Sequence, residues 1–277
     1  MNRWTVALVI ALLFVHMTHQ AHAQHAKQLD KIAEPQPQSI VEALLFFPTK
    51  FPTGDWEPKD LRFKDVFFNS QDGTKLHGWY CPSDKPRAVV LIAHGNAGHV
   101  ASRAGWLRYL QSKAKLSVFM FDYRGYGRSQ GTPTVAGAIQ DATAARAKLC
   151  ELASVQDSEM LLMGESLGGA LVVQLAADSP PQGLILQSTF SSLRDVADFH
   201  YPQLSWLVPR NQLDSATQIA NYHGPLLQSH GNMDRTIPFS SGEKLFQAAN
   251  EPKQFVAVDQ ANHNNWLTGA YLGERQE

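Results

Sequence analysis

Ser166 is the residue whose surroundings point most clearly to chemistry. It stands at the centre of residues 164–168, Gly-Glu-Ser-Leu-Gly, between an apolar run (160–163) and an apolar stretch with helical spacing (167–177). A strand, a G-x-S-x-G turn and a helix in this order present a serine hydroxyl on a sharp, strained turn. Side chains two residues before or after the serine would collide there, which explains both glycines. The pattern predicts a nucleophile at Ser166; the alternative is a glycine-rich turn that carries a solvated serine.

A serine nucleophile needs a base within hydrogen-bond reach and a carboxylate that orients the base. His263 follows the apolar run 255–258, and Asp234 follows the run 226–229. In a parallel sheet both loops lie at the edge where the strands end, which is where sites gather. Serine, acid, histidine is also the chain order expected after such a turn. We predict His263 as the base and Asp234 as the orienting acid, with Asp259 as the rival acid.

Two backbone N–H donors would have to stabilise the oxyanion that forms when a serine attacks a carbonyl. One is predicted from Leu167, the residue after the nucleophile. The other is predicted from Asn96, in the loop that follows the apolar run 88–93. His94 opens the same loop, and we interpret it as a brace for the loop rather than as the catalytic base.

The elements that must position these residues alternate between short apolar strands and helical patterns. Strands that are apolar on both faces belong to a parallel sheet covered by helices on both sides. The alternation indicates βαβ units, so the predicted fold class is α/β, with a doubly wound, mostly parallel sheet that begins with an antiparallel hairpin. Predicted strands cover 61–69, 75–80, 88–93, 118–121, 160–163, 184–186, 226–227 and 255–258, and predicted helices cover 103–112, 135–152, 167–177 and 241–250.

Residues 190–222 interrupt this alternation and contain no strong strand signal. A long insertion between two strands is typical of a short lid over a site. The segment is rich in apolar residues, and we predict that Phe199, Tyr201 and Trp206 contribute to a substrate pocket. The alternative is a satellite cluster packed on the core.

The first 23 residues predict a secretory signal peptide. Arg3 is their only charge, residues 4–15 are an apolar run, and the segment ends in Ala-His-Ala at 21–23. We expect cleavage after Ala23 and export to the periplasm or beyond. The alternative is an uncleaved anchor, which would associate the protein with a membrane. Four histidines at helical spacing are interpreted as the polar end of this segment rather than as a metal site: His16, His19, His22 and His25.

The rest of the chain divides into a proline- and glutamine-rich N-terminal extension, residues 24–60, and one domain, residues 61–277. With 277 residues, 44% hydrophobic, the chain is long enough to enclose a buried site. A net charge of −1 gives no basic excess of the kind that a nucleic-acid binder uses to meet phosphates. Cys81 and Cys150 match no zinc spacing; we take them as separate thiols, with a disulfide as the alternative.

Five short motifs give the chain a family likeness. It resembles the α/β-hydrolase superfamily over roughly residues 61–270, and within it the short-lid group that includes eukaryotic protein depalmitoylases and bacterial envelope hydrolases. Residues 46–49, Phe-Phe-Pro-Thr, resemble the N-terminal stretch of that group. The resemblance implies no metal or organic cofactor. The motifs are His-Gly-Asn at 94–96, Asp-Tyr-Arg-Gly-Tyr-Gly-Arg-Ser at 122–129, Gly-Glu-Ser-Leu-Gly at 164–168, His-Gly-Asn-Met-Asp at 230–234 and Asn-His at 262–263.

These observations predict a serine hydrolase that cleaves a carboxylic ester or thioester through an acyl-enzyme on Ser166. Its expected partner is a small acyl-ester, thioester or lipid-like substrate, and no nucleic acid. One alternative is a serine peptidase or amidase that uses the same three residues. A second is a catalytically silent binding protein on the same fold, although such proteins usually lack one of the three.

Overall fold

A computed structural model describes residues 39–264, which contain an eight-stranded sheet and the helices that cover it. Its strands are β2 (Lys64–Asn69), β3 (Lys75–Cys81), β4 (Ala88–Ala93), β6 (Leu116–Asp122), β7 (Met160–Glu165), β8 (Gly183–Gln187), β9 (Leu226–Gly231) and β10 (Lys253–Val258), while β1 (Phe47–Pro48) and β5 (Ala97–Gly98) form a separate parallel pair. The strands of the main sheet lie side by side in the order β10-β9-β8-β7-β4-β6-β3-β2. The helices are α1 (Ile40–Leu45), α2 (Ala104–Ser112), α3 (Val135–Ala153), α4 (Leu167–Asp178), α5 (Leu193–His200), α6 (Ser215–Ile219) and α7 (Phe239–Ala248).

The sheet is parallel from β10 to β6, and only β3 runs against its neighbours, β2 and β6. Successive side chains of a strand point to opposite faces. Along β4, Val89 and Leu91 pack in a core with α3 and α4, whereas Val90 and Ile92 pack in a second core with α2. A sheet buried by helices on both faces confirms the predicted fold class.

The predicted signal peptide, residues 1–23, lies outside the described residues. The described part of the predicted extension begins with α1, whose Ser39 and Glu42 form a capping box. Phe46 is buried, and the segment continues as β1, which pairs with β5. Residues 39–48 therefore lie against the loop that follows β4, where Asn96 was predicted to act.

The insertion between β8 and β9 contains α5, a 3-10 turn (Ser205–Leu207) and α6. Its second half packs on the core through Val208, Leu213 and Ile219, which are all buried. Its first half joins the same core through Phe190 and Leu193 and is exposed over residues 198–204. Part of the segment is thus packed on the core, and a lid over the site stays a prediction.

Cys81 and Cys150 are free thiols, so the alternative of a disulfide between them is wrong. Burial raises the pKa of the Cys81 thiol to about 12, which keeps it protonated and unreactive. Among residues 39–264 no helix is long and apolar enough to cross a membrane.

Candidate active site

Ser166 lies between β7 and α4 in a backbone conformation that few non-glycine residues adopt, with φ 53° and ψ −116°. The turn is closed so tightly that a Cβ atom on Gly164 would lie 2.5 Å from the carbonyl oxygen of Gly168. A Cβ atom on Gly168 would overlap the carbonyl oxygen of Ala93 in β4. Both positions therefore require glycine, and the strained turn lifts the serine hydroxyl away from the sheet.

The structure brings Ser166, His263 and Asp234 into one line of contacts. His263 Nε2 lies 3.0 Å from Ser166 Oγ, and His263 Nδ1 lies 2.7 Å from Asp234 Oδ2. All three residues are buried. With its proton on Nδ1, the imidazole donates to the carboxylate and keeps Nε2 free to accept the serine proton. This is the geometry that activates a serine.

Backbone and side-chain donors hold the Asp234 carboxylate in place. Its Oδ1 accepts from the N–H groups of Thr236 and Ile237, each at 2.8 Å, and its Oδ2 lies 3.4 Å from His230 Nε2. Burial would raise the pKa of Asp234, but hydrogen bonds from His230, His263 and Ile237 outweigh it and hold the pKa well below the usual range. The carboxylate therefore stays ionised and fixed beside the imidazole.

Asp259, the rival acid, forms its hydrogen bond with a different side chain. Its Oδ1 accepts from Asn232 Nδ2 at 2.8 Å, and Asn232 Oδ1 in turn accepts from the N–H of Gln260. These bonds tie the loop after β10 to the loop after β9, which carry His263 and Asp234. The structure therefore places Asp234, and not Asp259, against the imidazole.

The two predicted oxyanion donors, Asn96 and Leu167, line the same cavity as Ser166. Leu167 is the first residue of α4, so its N–H is one of the helix donors that has no intrahelical acceptor. Asn96 is fixed by three contacts: its Nδ2 donates to Leu45, and its carbonyl oxygen accepts from the Phe47 N–H and the Tyr126 hydroxyl. The loop is thus held rigidly at the cavity.

His94 is fully buried, and its side chain contacts Gly95 and Asp122. Its Nδ1 lies 2.6 Å from the carbonyl oxygen of Gly95, and its Nε2 lies 3.6 Å from Asp122 Oδ1. The Tyr123 hydroxyl donates to the His94 carbonyl oxygen. These contacts fit a bracing role.

The cavity beside Ser166 has a volume of about 270 Å³ and an apolar wall. Of the three side chains predicted for a substrate pocket, Tyr201 lines this cavity, whereas Phe199 and Trp206 do not and are mainly exposed. In the 3-10 turn Leu207 faces the cavity while Trp206 Nε1 donates to the carbonyl of Gln203 on the outside. The lining residues are Ile40, Val41, Leu44, Leu45, Phe47, Asn96, Ser166, Leu167, Phe190, Leu193, Val196, Ala197, His200, Tyr201, Leu204, Leu207, Val208, Thr236 and Ile237.

Sequence reasoning missed the contribution of α1, which supplies one side of the cavity through Val41, Leu44 and Leu45. The available signal was the apolar patch 41–47 in an otherwise polar extension. It also missed His200, which lines the cavity and whose Nε2 lies 2.8 Å from the Thr236 carbonyl oxygen. Within residues 39–264 no cluster of three or more His, Cys, Asp or Glu side chains is arranged to hold a metal ion.

Several known proteins are similar to this chain in sequence or in fold. Residues 84–220 match the family described as serine aminopeptidase, S33. An uncharacterized protein of Mycobacterium tuberculosis is 39% identical over 228 residues, which cover 80% of each chain. The alpha/beta hydrolase domain-containing protein WAV2 of Arabidopsis thaliana is 32% identical, covering 76% of this chain and 75% of that protein. The Pyrococcus furiosus esterase Pf2001 superposes with a TM-score of 0.66 at 20% identity, covering 83% of this chain and 93% of that one, which shows a shared fold.

The fold and the relatives define the class of protein. The chain belongs to the α/β-hydrolase family, as its motifs led us to expect. Members of one fold family catalyse different reactions, so the bond that is cleaved must be argued from the site itself.

Proposed function

We propose that the protein is a serine hydrolase that cleaves carboxylic esters or thioesters with an apolar acyl chain. The observation that carries the proposal is the contact of Ser166 Oγ with His263 Nε2 at 3.0 Å, at the wall of an apolar cavity. The line of contacts supports activation of the serine, and the wall supports an acyl chain as the group that is bound.

In the first half-reaction Ser166 Oγ attacks the acyl carbonyl carbon while His263 takes the hydroxyl proton. The negative charge that develops on the carbonyl oxygen is met by the N–H groups of Asn96 and Leu167. Asp234 stabilises the imidazolium that forms. The tetrahedral intermediate collapses, and the alcohol or thiol leaves with the proton from His263.

In the second half-reaction water attacks the carbonyl carbon of the ester on Ser166 and gives a proton to His263. The second tetrahedral intermediate collapses, Ser166 regains its proton, and the carboxylic acid leaves. Throughout both half-reactions the acyl chain lies between α1 and α5, since these helices supply much of the apolar wall.

A serine peptidase or amidase is the second candidate, because the matched family is described as an aminopeptidase. An aminopeptidase has to hold the α-ammonium group of its substrate, for which a carboxylate is the natural partner. None of the described residues that line the cavity is Asp or Glu. The composition of the wall therefore favours an ester or thioester.

The test is labelling with a fluorophosphonate, followed by turnover of p-nitrophenyl esters from acetate to palmitate, an acyl thioester and an aminoacyl p-nitroanilide. We expect wild-type protein and Ser240→Ala, a control at an exposed serine, to be labelled and to hydrolyse the esters. Ser166→Ala should do neither. Labelling that persists in Ser166→Ala would refute the assignment of the nucleophile, and faster cleavage of the anilide than of any ester would favour the peptidase. An unlabelled, inactive wild type would favour the silent binding protein.

A further inference from the structure

The mouth of the cavity is surrounded by large apolar side chains that remain exposed to solvent. We name the apolar rim as the six large apolar residues that both line the cavity and are exposed: Ile40, Leu44, Phe47, Tyr201, Leu204 and Leu207. Phe199 and Trp206, 55% and 68% exposed, extend this surface on α5 and on the 3-10 turn. Isolated exposed apolar residues are ordinary, but a group gathered around one opening marks an interaction surface.

We propose that the apolar rim docks on the surface of a lipid bilayer, so that an acyl chain passes from the lipid phase into the cavity. Two observations favour a bilayer over other occupants. The rim is continuous with the apolar wall, so an acyl chain entering there need not cross water. The chain also leaves the described domain at this face, because Ser39 precedes Ile40 directly, and the preceding 38 residues include the apolar run 4–15. If the apolar run 4–15 is retained, it would bring this face to a membrane. If the run is removed by cleavage, the apolar rim alone would do so.

The chemistry of the rim further predicts how it would bind. None of the described residues that line the cavity is Asp, Glu, Lys or Arg, and the whole chain carries a net charge of −1. Attraction to anionic headgroups therefore contributes little, and insertion of apolar side chains has to provide the affinity. We expect binding to zwitterionic vesicles that changes little with ionic strength.

Trp206 serves as a local reporter, since it lies beside the rim and outside the cavity wall. The full chain carrying Ser166→Ala is mixed with phosphatidylcholine vesicles whose acyl chains are brominated, which quenches only tryptophans that enter the lipid. Trp206→Phe in the same background isolates the Trp206 component from that of the other tryptophans. The Trp206 component is the difference between the fluorescence of the two proteins, and we expect the brominated vesicles to quench it. The fluorescence of the other tryptophans should be the same in both proteins.

Two charged substitutions test whether the rim is the surface that inserts. Ile40→Glu lies on α1 and Leu204→Glu before the 3-10 turn; each should raise the vesicle concentration for half-maximal Trp206 quenching roughly tenfold, because one apolar side chain no longer inserts. Phe67→Glu is the matched control, since Phe67 is as exposed as Leu204, both at 51%, and does not line the cavity. It should leave the quenching unchanged, and far-ultraviolet circular dichroism should show all three variants folded.

If the protein binds vesicles but Trp206 stays unquenched, the proposal is overturned. In that case only residues that precede the apolar rim would hold the protein on the vesicle. If the protein forms a dimer that Leu204→Glu abolishes, and vesicles do not quench Trp206, then the apolar rim binds a second copy of the chain instead. Equal loss of quenching in Phe67→Glu would also overturn it. Because the assay uses Ser166→Ala and no substrate, its failure leaves the proposed hydrolysis of soluble esters untouched.

Discussion

Glu42 holds α1 against the domain, and its replacement by alanine should change which acyl chains the protein accepts. Its Oε2 accepts from the N–H and the hydroxyl of Ser39, at 3.0 and 2.9 Å, and completes the capping box of α1. Its Oε1 accepts from the N–H of Val135 at 2.8 Å. Val135 is the first residue of α3. One carboxylate thus joins the N-termini of two helices, and the contact to α3 fixes the helix that lines the cavity.

The size of the effect follows from these contacts. A hydrogen bond to a charged group contributes about 1.5–3 kcal/mol when buried. Glu42 is only partly buried, so we expect Glu42→Ala to cost about 1–2 kcal/mol in total. In a domain of this size that loss lowers the melting temperature by roughly 2–8 °C. Because the contacts hold α1 in place, most of the loss should appear as weaker docking of α1, by roughly tenfold.

The same carboxylate makes the docking pH-dependent. Burial would raise the pKa of Glu42, but hydrogen bonds from Ser39 and Val135 outweigh it and lower the pKa below the ordinary glutamate value. The charged form is therefore the one that the folded state favours. Its contribution to stability is complete above the unfolded-state pKa and is lost as the pH falls through the lowered pKa of the folded state. Glu42→Ala should abolish that part of the acid dependence.

The assay compares kcat/KM for short and long p-nitrophenyl esters in wild type, Glu42→Ala, Thr134→Ala and Asp214→Ala. Thr134→Ala removes the cap on Gly137 N–H and loosens the first turn of α3, so it weakens the anchor of α1 indirectly. The control is Asp214→Ala, which removes the cap of α6 and leaves both α1 and the cavity lining untouched. We expect Glu42→Ala to lose activity selectively on long chains, up to roughly tenfold, and Asp214→Ala to lower the melting temperature with the chain-length profile unchanged. An unchanged profile in Glu42→Ala would refute the role of α1 as an acyl-chain wall.

The catalytic roles and the revised place of Trp206 give three further predictions. Ser166→Ala and His263→Ala should each abolish ester turnover, and the double variant should lose little more, because the residues act as a unit; additive losses in kcat would contradict this. Asp234→Asn should lower kcat on the order of 10⁴ with the fold retained, whereas Asp259→Asn should keep most activity; the reverse order would disprove the choice of acid. Trp206→Ala should change the unfolding free energy by within about 0.5 kcal/mol and leave the chain-length profile for soluble esters unchanged, and a large drop in melting temperature would show that Trp206 is buried in solution.

The sheet and the positions of the three candidate catalytic residues could be predicted because local rules determine them. Apolar runs give the strands, and the carboxyl ends of parallel strands meet at one edge. The loop after β9 therefore had to approach Ser166, as did the loop after β10. Asp234 and Asp259 both lie near that edge, so only the structure could show which carboxylate contacts the His263 imidazole.

The cavity wall could not be predicted, because it depends on contacts between segments far apart in the chain. No sequence pattern in residues 40–45 indicates that they pack beside residues 193–208. The predicted orientation of the Trp206 side chain was wrong for a different reason. Helix and strand periodicity assign side chains to faces, but a single 3-10 turn has too few residues for any periodicity to appear. Trp206 was predicted for the pocket as part of an apolar cluster, whereas Leu204 and Leu207 of that cluster line the cavity and Trp206 does not.

The shared wall of α1 and α5 has a consequence for how such proteins diverge. The wall consists of short surface segments that contribute no strand to the main sheet, so substitutions there can alter substrate choice while the catalytic loops stay constant. Residues 84–220, the part that matches the family, include α5 but omit α1 altogether. Substrate differences between related proteins should therefore be sought in the residues that align with 40–47 and 193–208. Overall identity mainly reports the scaffold, so two relatives with the same scaffold can differ in the group that this wall binds.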